Sequence, residues 1–132
     1  MAGDRLRRAN LWLPPIGYMA MIFFFSAEPD PVPRITQAFW DKTLHFVGYA
    51  GLAFLFCRAF AGERFARATA LLLAFLATST YGASDEWHQA FVPGRHAEVA
   101  DWIADTVGAG LGLIVYVTWM KALTGRPKGS HY

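Results

Sequence analysis

Charged residues are absent from four long stretches of this chain, although its 132 residues include 12 lysines and arginines and 10 acids. The uncharged stretches are residues 9–27, 43–57, 68–84 and 106–120. Crossing a bilayer takes ~20 helical residues, and each stretch reaches that length when its flanking polar residues lie in the interface. A hydrophobic content of 55% is also high for a soluble domain of this size. We therefore predict an all-α fold, a four-helix transmembrane bundle. The predicted helices cover about residues 11–26, 40–61, 66–91 and 99–123 of a single domain, residues 1–132.

Cysteine is almost absent as well, and so are the common catalytic motifs. The single cysteine, Cys57, excludes an intrachain disulfide and a cysteine-based metal site, and we expect it to pack. No nucleophile elbow, phosphate-binding loop or dinucleotide fingerprint is present. The pI of 8.9 could indicate nucleic-acid binding, but the basic residues flank apolar stretches and form no stripe with interleaved aromatics. We predict no nucleic-acid partner and no cofactor.

The charges sort onto two sets of helix ends. Nine of the twelve basic residues lie at one set: Arg5, Arg7, Arg8, Arg58, Arg64, Arg67, Lys121, Arg126 and Lys128. Eight of the ten acids lie at the other: Glu28, Asp30, Asp41, Asp85, Glu86, Glu98, Asp101 and Asp105. Cytoplasmic loops carry the excess of lysine and arginine. We therefore predict a multi-pass protein of the inner (cell) membrane, with both termini cytoplasmic and the acidic ends facing outside the cytoplasm.

The predicted fourth helix carries two acids and two glycines on one face. Asp101, Asp105, Gly108 and Gly112 project within a narrow arc, because successive helical residues turn by ~100°. Gly108 and Gly112 would let another helix approach closely. A simple interpretation makes Asp101 a helix cap and Asp105 an interfacial acid. A charge costs ~3 kcal/mol at the centre of a membrane helix, and less in the first turns, where both acids lie. Because the two acids are one turn apart above a close helix contact, we favour a cavity lined by both.

The predicted second helix begins with polar residues one turn apart. Asp41, His45 and Tyr49 follow each other at intervals of four, and Lys42 shares the same end. A histidine between an aspartate and a tyrosine can be held in one tautomer, which suits a general base. It equally suits a histidine whose hydrogen bonds are merely satisfied at an interface, and the triple alone favours that simpler interpretation.

The predicted third helix ends in a second polar group. Asp85, Glu86, His88 and Gln89 lie in its last turns, and Arg95 is the last residue of a turn made by residues 92–95. Arginine is well suited to bidentate contact with carboxylate or phosphate. Surface ion pairs at a solvated helix end are the simpler explanation. The interleaved residues Trp87, Phe91 and Val92 argue against it, since they place this segment at the membrane interface.

Metal binding is a further possibility at these ends. His45, His88 and the acids are suitable ligand types, but no two histidines share a metal-ligand spacing on one helix. We therefore predict no metal site.

Four motifs occur in order along the chain. They are residues 26–29, Asp41-Lys42-x-x-His45-Phe46-x-x-Tyr49, Asp85-Glu86-x-His88-Gln89-x-Phe91-Val92-Pro93-Gly94-Arg95, and Asp101-x-x-Ala104-Asp105-x-x-Gly108-x-x-x-Gly112. In this combination the chain resembles the VanZ-like family of small integral membrane proteins, although Asp105 stands where the family pattern more often has Asn. The resemblance implies a membrane location and an outer-face site. The family's namesake is associated with teicoplanin resistance, but the resemblance names no reaction.

Our first hypothesis is a membrane protein that binds or modifies an envelope lipid or lipid-linked glycan at the outer leaflet. The residues assigned to acid–base catalysis are His45, Asp85, Glu86 and His88. The residues assigned to substrate binding are Lys42, Tyr49, Gln89, Arg95, Asp101 and Asp105. Two alternatives remain: a non-enzymatic structural or docking module, and, less favoured, a channel or transporter. Whether turnover occurs and whether the chain forms a homo-oligomer are left open.

Overall fold

The described part of the chain folds into four helices. The computed structural model describes residues 1–27 and 34–125, and only the backbone of residues 34–41. The helices are α1 (Ala2–Ala27), α2 (Arg34–Gly62), α3 (Arg67–Gln89) and α4 (Val99–Thr124), and the described residues contain no strand. Segments Ala2–Ala27, Lys42–Gly62 and Val99–Thr124 are long and apolar enough to span a membrane. The predicted all-α membrane fold is confirmed, whereas the cytoplasmic position of the termini stays a prediction.

The helix bounds depart from the sequence prediction at two starts. α1 begins at Ala2, well before residue 11, and its first turns include an i,i+3 ion pair of 3.1 Å between Arg7 and Asp4. α2 begins at Arg34, so the loop predicted for residues 27–39 is helical in its second part. Within that loop, residues 28–33 lie outside the described residues. No helix-breaking residue follows Pro33 until Gly48, which explains the earlier start of α2.

α3 differs from the other three helices in composition. It does not meet the length and apolarity criteria that α1, α4 and residues Lys42–Gly62 satisfy. Its middle carries a run of hydroxyl side chains, Thr78, Ser79 and Thr80, before the acids at its end. The third predicted membrane crossing therefore stays a prediction, and α3 is the most polar helix of the four.

α2 is the central helix. It contacts α1, α3 and α4, and its contact with α4 is the most extensive, whereas α1 and α4 do not touch within the described residues. The core consists of buried side chains from α2, α3 and α4: Tyr49, Leu52, Phe56, Cys57, Ala74 and Tyr116. The predicted packing role of Cys57 is confirmed, since its side chain is fully buried there.

Two glycines allow α4 to lie against the backbone of α2. A Cβ atom on Gly108 would overlap the carbonyl oxygen of Phe46, and one on Gly112 would overlap that of Ala50. Gly110, on the other side of α4, has no neighbour within 4 Å of such an atom. The predicted close helix approach is confirmed, and it brings the acids of α4 against the histidine of α2.

Large apolar side chains cover the outer surface of the bundle. On α1 and α4 they are Leu13, Ile16, Phe23, Phe24, Phe25, Val107, Ile114, Val115 and Trp119. Contiguous exposed apolar surface of this kind is rare on soluble monomers. A bilayer would cover it, in agreement with the spanning length of these two helices.

Candidate functional site

One end of the bundle collects the polar residues. It is formed by the N-terminal ends of α2 and α4 and the C-terminal ends of α1 and α3, and we call it the polar end. Six of its side chains meet between α2, α3 and α4 and are named the central cluster: His45, Tyr49, Asp85, Glu86, Asp101 and Asp105. The structure therefore brings most of the sequence-predicted site residues together.

His45 on α2 is bound directly to α4. Its Nδ1 lies 2.6 Å from Asp105 Oδ1, and the side chain of Asp105 is fully buried. A carboxylate only accepts hydrogen bonds, so Nδ1 donates when Asp105 is ionised, and Nε2 of the neutral ring is then the basic nitrogen. The orientation suits proton exchange, and it exists because Gly108 lets the two helices touch.

Tyr49 connects α2 with α3. Its hydroxyl donates a 2.9 Å hydrogen bond to Asp85 Oδ2, and both residues are buried. The rings of Tyr49 and His45, one turn apart, are parallel with centroids separated by 6.1 Å. The predicted arrangement of His45 above Tyr49 is thus present. Asp105 orients the histidine, which is the role predicted for Asp41, whose side chain lies outside the described residues.

Glu86 faces the same space from α3. Its Oε2 accepts a 3.1 Å hydrogen bond from the backbone N–H of Glu98, just before α4. Its Oε1 lies 3.9 Å from His45 Nδ1, beyond hydrogen-bonding distance. Glu86 is therefore held by one oxygen while the other points toward the histidine.

Three carboxylate oxygens of the central cluster are buried without a hydrogen-bond partner. They are Glu86 Oε1, Asp101 Oδ1 and Asp105 Oδ2. Their residues are 7%, 7% and 0% exposed. A buried charge is costly unless it is paired and hydrogen-bonded, so these oxygens distinguish the cluster from an ordinary packed interface.

A glycine on α3 provides the room for this arrangement. A Cβ atom on Gly82 would lie 3.0 Å from Asp105 Oδ2 and 3.3 Å from Tyr49 Cε1. Sequence reasoning missed Gly82, because an isolated glycine in a helix has no distinctive spacing. Its position one turn before Glu86 was the only available signal.

Lys42 lies at the rim of the cluster. Its Nζ is 3.6 Å from Glu98 Oε2 and 3.9 Å from Asp101 Oδ1, and its side chain is 45% exposed. Glu98 was not among the sequence-predicted site residues, although its charge and its place before the Asp101 turn were visible. Lys42 therefore offers a cation at the entrance to a group of acids.

Three predicted site residues contact α1 and lie outside the central cluster. His88 stacks on Phe23 with ring centroids 4.5 Å apart, and Gln89 donates a 3.3 Å hydrogen bond to Ser26 Oγ. Arg95 donates a 3.3 Å hydrogen bond to the carbonyl oxygen of Phe25. The turn before Arg95 has the predicted form, since Arg95 N–H bonds to Val92 O and Gly94 has φ of 79°.

Fold and site together define a helical integral membrane protein with a buried acidic and imidazole group at one end of its bundle. The family model described as VanZ/LLP1 matches residues 7–121, and the chain belongs to this family. The resemblance to VanZ-like proteins is thereby confirmed. Neither the curated proteins nor the solved structures gave a match.

Proposed function

We propose that this protein binds a phosphate-bearing envelope lipid or lipid-linked glycan at the polar end, and that the central cluster is where the ligand's headgroup is bound or modified. The observation that carries the proposal is the set of three buried carboxylate oxygens without partners. The polar end faces outside the cytoplasm in this proposal, which the distribution of lysine and arginine supports.

Unpartnered acceptors favour a binding site over a structural network. A network that only locks helices together is stable when every member is satisfied, and a half-satisfied one is worse than an apolar core. Hydroxyl or ammonium groups of a headgroup would supply the missing donors to Glu86, Asp101 and Asp105. A glycan, rich in hydroxyl groups, matches this need.

The rim of the cluster fits the other parts of such a ligand. Lys42 is half-exposed at the entrance and can contact a phosphate group. At the same end of the bundle, Trp87, Phe91 and Val99 are each at least 70% exposed, and they offer an apolar surface to acyl or prenyl chains. Charge and apolar surface therefore meet where a membrane lipid would present its headgroup.

Acid–base chemistry on the bound headgroup would fall to the central cluster. His45 is oriented by Asp105, and Glu86 and Asp85 lie on the facing helix. This is the arrangement of a base with an orienting carboxylate. His88, the other histidine assigned to catalysis from the sequence, would act on the ligand's α1 side, where Gln89 and Arg95 also lie.

The alternative is a non-enzymatic structural or docking module. It is supported by the bonds from His45 to Asp105 and from Tyr49 to Asp85, which connect α2 to α4 and to α3. It does not account for the unpartnered oxygens. No comparable observation favours a channel or transporter.

Lipid binding can be measured on the purified chain by native mass spectrometry with phosphatidylglycerol, a polyprenyl phosphate and phosphatidylcholine. Lys42→Gln should weaken binding of the two anionic lipids about fivefold, since a basic residue near a lipid surface contributes ~1 kcal/mol. Lys121→Gln, the same charge change at the other end of the bundle, should leave binding unchanged. Equal effects of the two variants, or no preference for anionic lipids in the wild type, would contradict the proposal.

A further inference from the structure

We propose that His45, Glu86 and Asp105 bind one divalent transition-metal cation, of the Zn²⁺ or Mn²⁺ class. Each residue comes from a different helix, and one potential ligand atom from each lies within 4.8 Å of the other two. One imidazole nitrogen and two carboxylate oxygens are ligands that both cations accept. The inference goes beyond the proposed function, because it requires no lipid.

The distances between these ligand atoms suit a shared cation. His45 Nδ1 lies 2.6 Å from Asp105 Oδ1 and 3.9 Å from Glu86 Oε1. Two ligand atoms bound at ~2.1 Å to a tetrahedral ion lie roughly 3.4 Å apart. The observed separations fall on both sides of that value, so small rotations of the three side chains would place a cation between them.

The charge balance of the cluster also calls for a cation. Glu86 and Asp105 are buried, and each has one oxygen without a hydrogen-bond partner. The nearest lysine, Lys42, pairs instead with Glu98 and Asp101. A divalent ion would offset the two carboxylates and supply the contact that Glu86 Oε1 lacks.

Neighbouring groups can support the three ligands. Glu98 N–H holds Glu86 Oε2, which leaves Oε1 for the metal. Asp101, one turn from Asp105 on α4, has its own unpartnered oxygen and lies where it could accept a hydrogen bond from a metal-bound water. A cation bound at His45 Nδ1 would replace the proton that this nitrogen donates to Asp105, and the ring would keep its proton on Nε2, so His45 would no longer accept one.

The test uses the full chain in phosphatidylcholine nanodiscs, stripped with a chelator and titrated separately with ZnCl₂ and MnCl₂. Elemental analysis should find one bound ion per chain, and the melting temperature should rise on binding. Glu86→Gln should weaken binding by more than about tenfold, since even outer-shell partners of metal ligands contribute 10–100-fold. His96→Ala, which removes an exposed histidine outside the cluster, should bind as the wild type does.

Glu86→Gln keeps an oxygen for the Glu98 N–H, so the variant should fold. If the variant does not fold, the visible absorption of Co²⁺ bound to the wild-type protein is measured instead. Intense bands, typical of Co²⁺ with few nitrogen and oxygen ligands, would support the proposal, and their absence would overturn it. Absence of stoichiometric ion, or equal binding by Glu86→Gln and His96→Ala, also overturns it. A wild-type protein that binds one ion per chain, but shows no preference for phosphatidylglycerol or polyprenyl phosphate in the lipid assay, would instead contradict the proposed function alone.

Discussion

A carboxylate buried between helices needs a partner for its charge, and the central cluster contains four such groups. Asp85 has the Tyr49 hydroxyl, Asp105 has His45 on one oxygen, and Glu86 has a backbone N–H on one oxygen. Asp101 Oδ1 lies 3.9 Å from the Lys42 ammonium and accepts no hydrogen bond within the described residues. The partners are thus unequal from residue to residue, and the stability effect of a substitution should depend on whether it removes a partner or an unsatisfied charge.

Tyr49→Phe tests a residue that acts as a partner. The substitution removes the donor to Asp85 while conserving shape, so it should lower stability by ~1–3 kcal/mol, the cost of leaving a buried acceptor unsatisfied. Thermal unfolding in detergent measures the effect. Tyr116→Phe is the control, because Tyr116 also belongs to the core, but its hydroxyl makes no hydrogen bond within the described residues. Equal losses in the two variants would argue against a specific contribution of the Tyr49–Asp85 bond.

Among the helices, the contact between α2 and α4 determines the geometry of the central cluster. Gly108 and Gly112 place two carbonyl groups of α2 against α4, and this contact sets Asp105 beside His45. α3 then closes the cluster from the other side through Asp85 and Glu86. At the polar end, α1 contacts the flanking residues His88, Gln89 and Arg95.

Gly112→Leu should disrupt this helix contact. A side chain at this position would collide with Ala50 O and with Ala53 Cβ. We therefore expect a loss of stability of about 1–3 kcal/mol or more, seen as a clear drop in melting temperature. Gly110→Leu introduces the same side chain where nothing lies within 4 Å and should have little effect. A similar drop in both variants would mean that the loss does not come from the α2–α4 contact.

The sequence predicted the elements better than the partners of their side chains. The uncharged stretches and the Gly108–Gly112 spacing are patterns within single helices, so the helical fold and the close helix approach could be predicted from the sequence. The pairing of His45 with Asp105 joins residues far apart in the chain, and no spacing rule encodes it. The same limit explains why the sequence predicted no metal site: the three ligand types lie on three helices, and spacing rules examine one helix at a time.

The whole molecule has an outer surface of apolar side chains and an asymmetric distribution of charge. At the end opposite the cluster, a 2.9 Å hydrogen bond from Trp12 Nε1 to Glu63 joins α1 to the turn that follows α2, and Arg8 lies 3.6 Å from the same carboxylate. Basic residues dominate that end in the sequence, and acids dominate the polar end. This charge asymmetry predicts one orientation of the protein in the membrane, with the basic end on the cytoplasmic side.

Cysteine labelling in intact cells tests that direction. On a Cys57→Ala background, Ala97→Cys at the polar end should react with an impermeant thiol reagent, whereas Gly3→Cys at the start of α1 should react only after the cells are permeabilised. Both positions are exposed, so accessibility within the protein is matched. Labelling of Gly3→Cys alone would reverse the orientation and place the polar end in the cytoplasm.

Simultaneous replacement of Glu86→Gln, Asp101→Asn and Asp105→Asn tests most directly whether the central cluster is a ligand site or a structural network. The three amides keep size and acceptor oxygens but remove the buried charges. If the cluster is a ligand site, the melting temperature should stay the same or rise, because the unsatisfied charges are gone. Binding of Zn²⁺ or Mn²⁺ should be lost, and phosphatidylglycerol should bind more weakly, because its hydroxyl groups then meet neutral amide oxygens, which are weaker acceptors than carboxylates. A large fall in melting temperature, with lipid and ion binding retained by the protein that remains folded, would contradict this account.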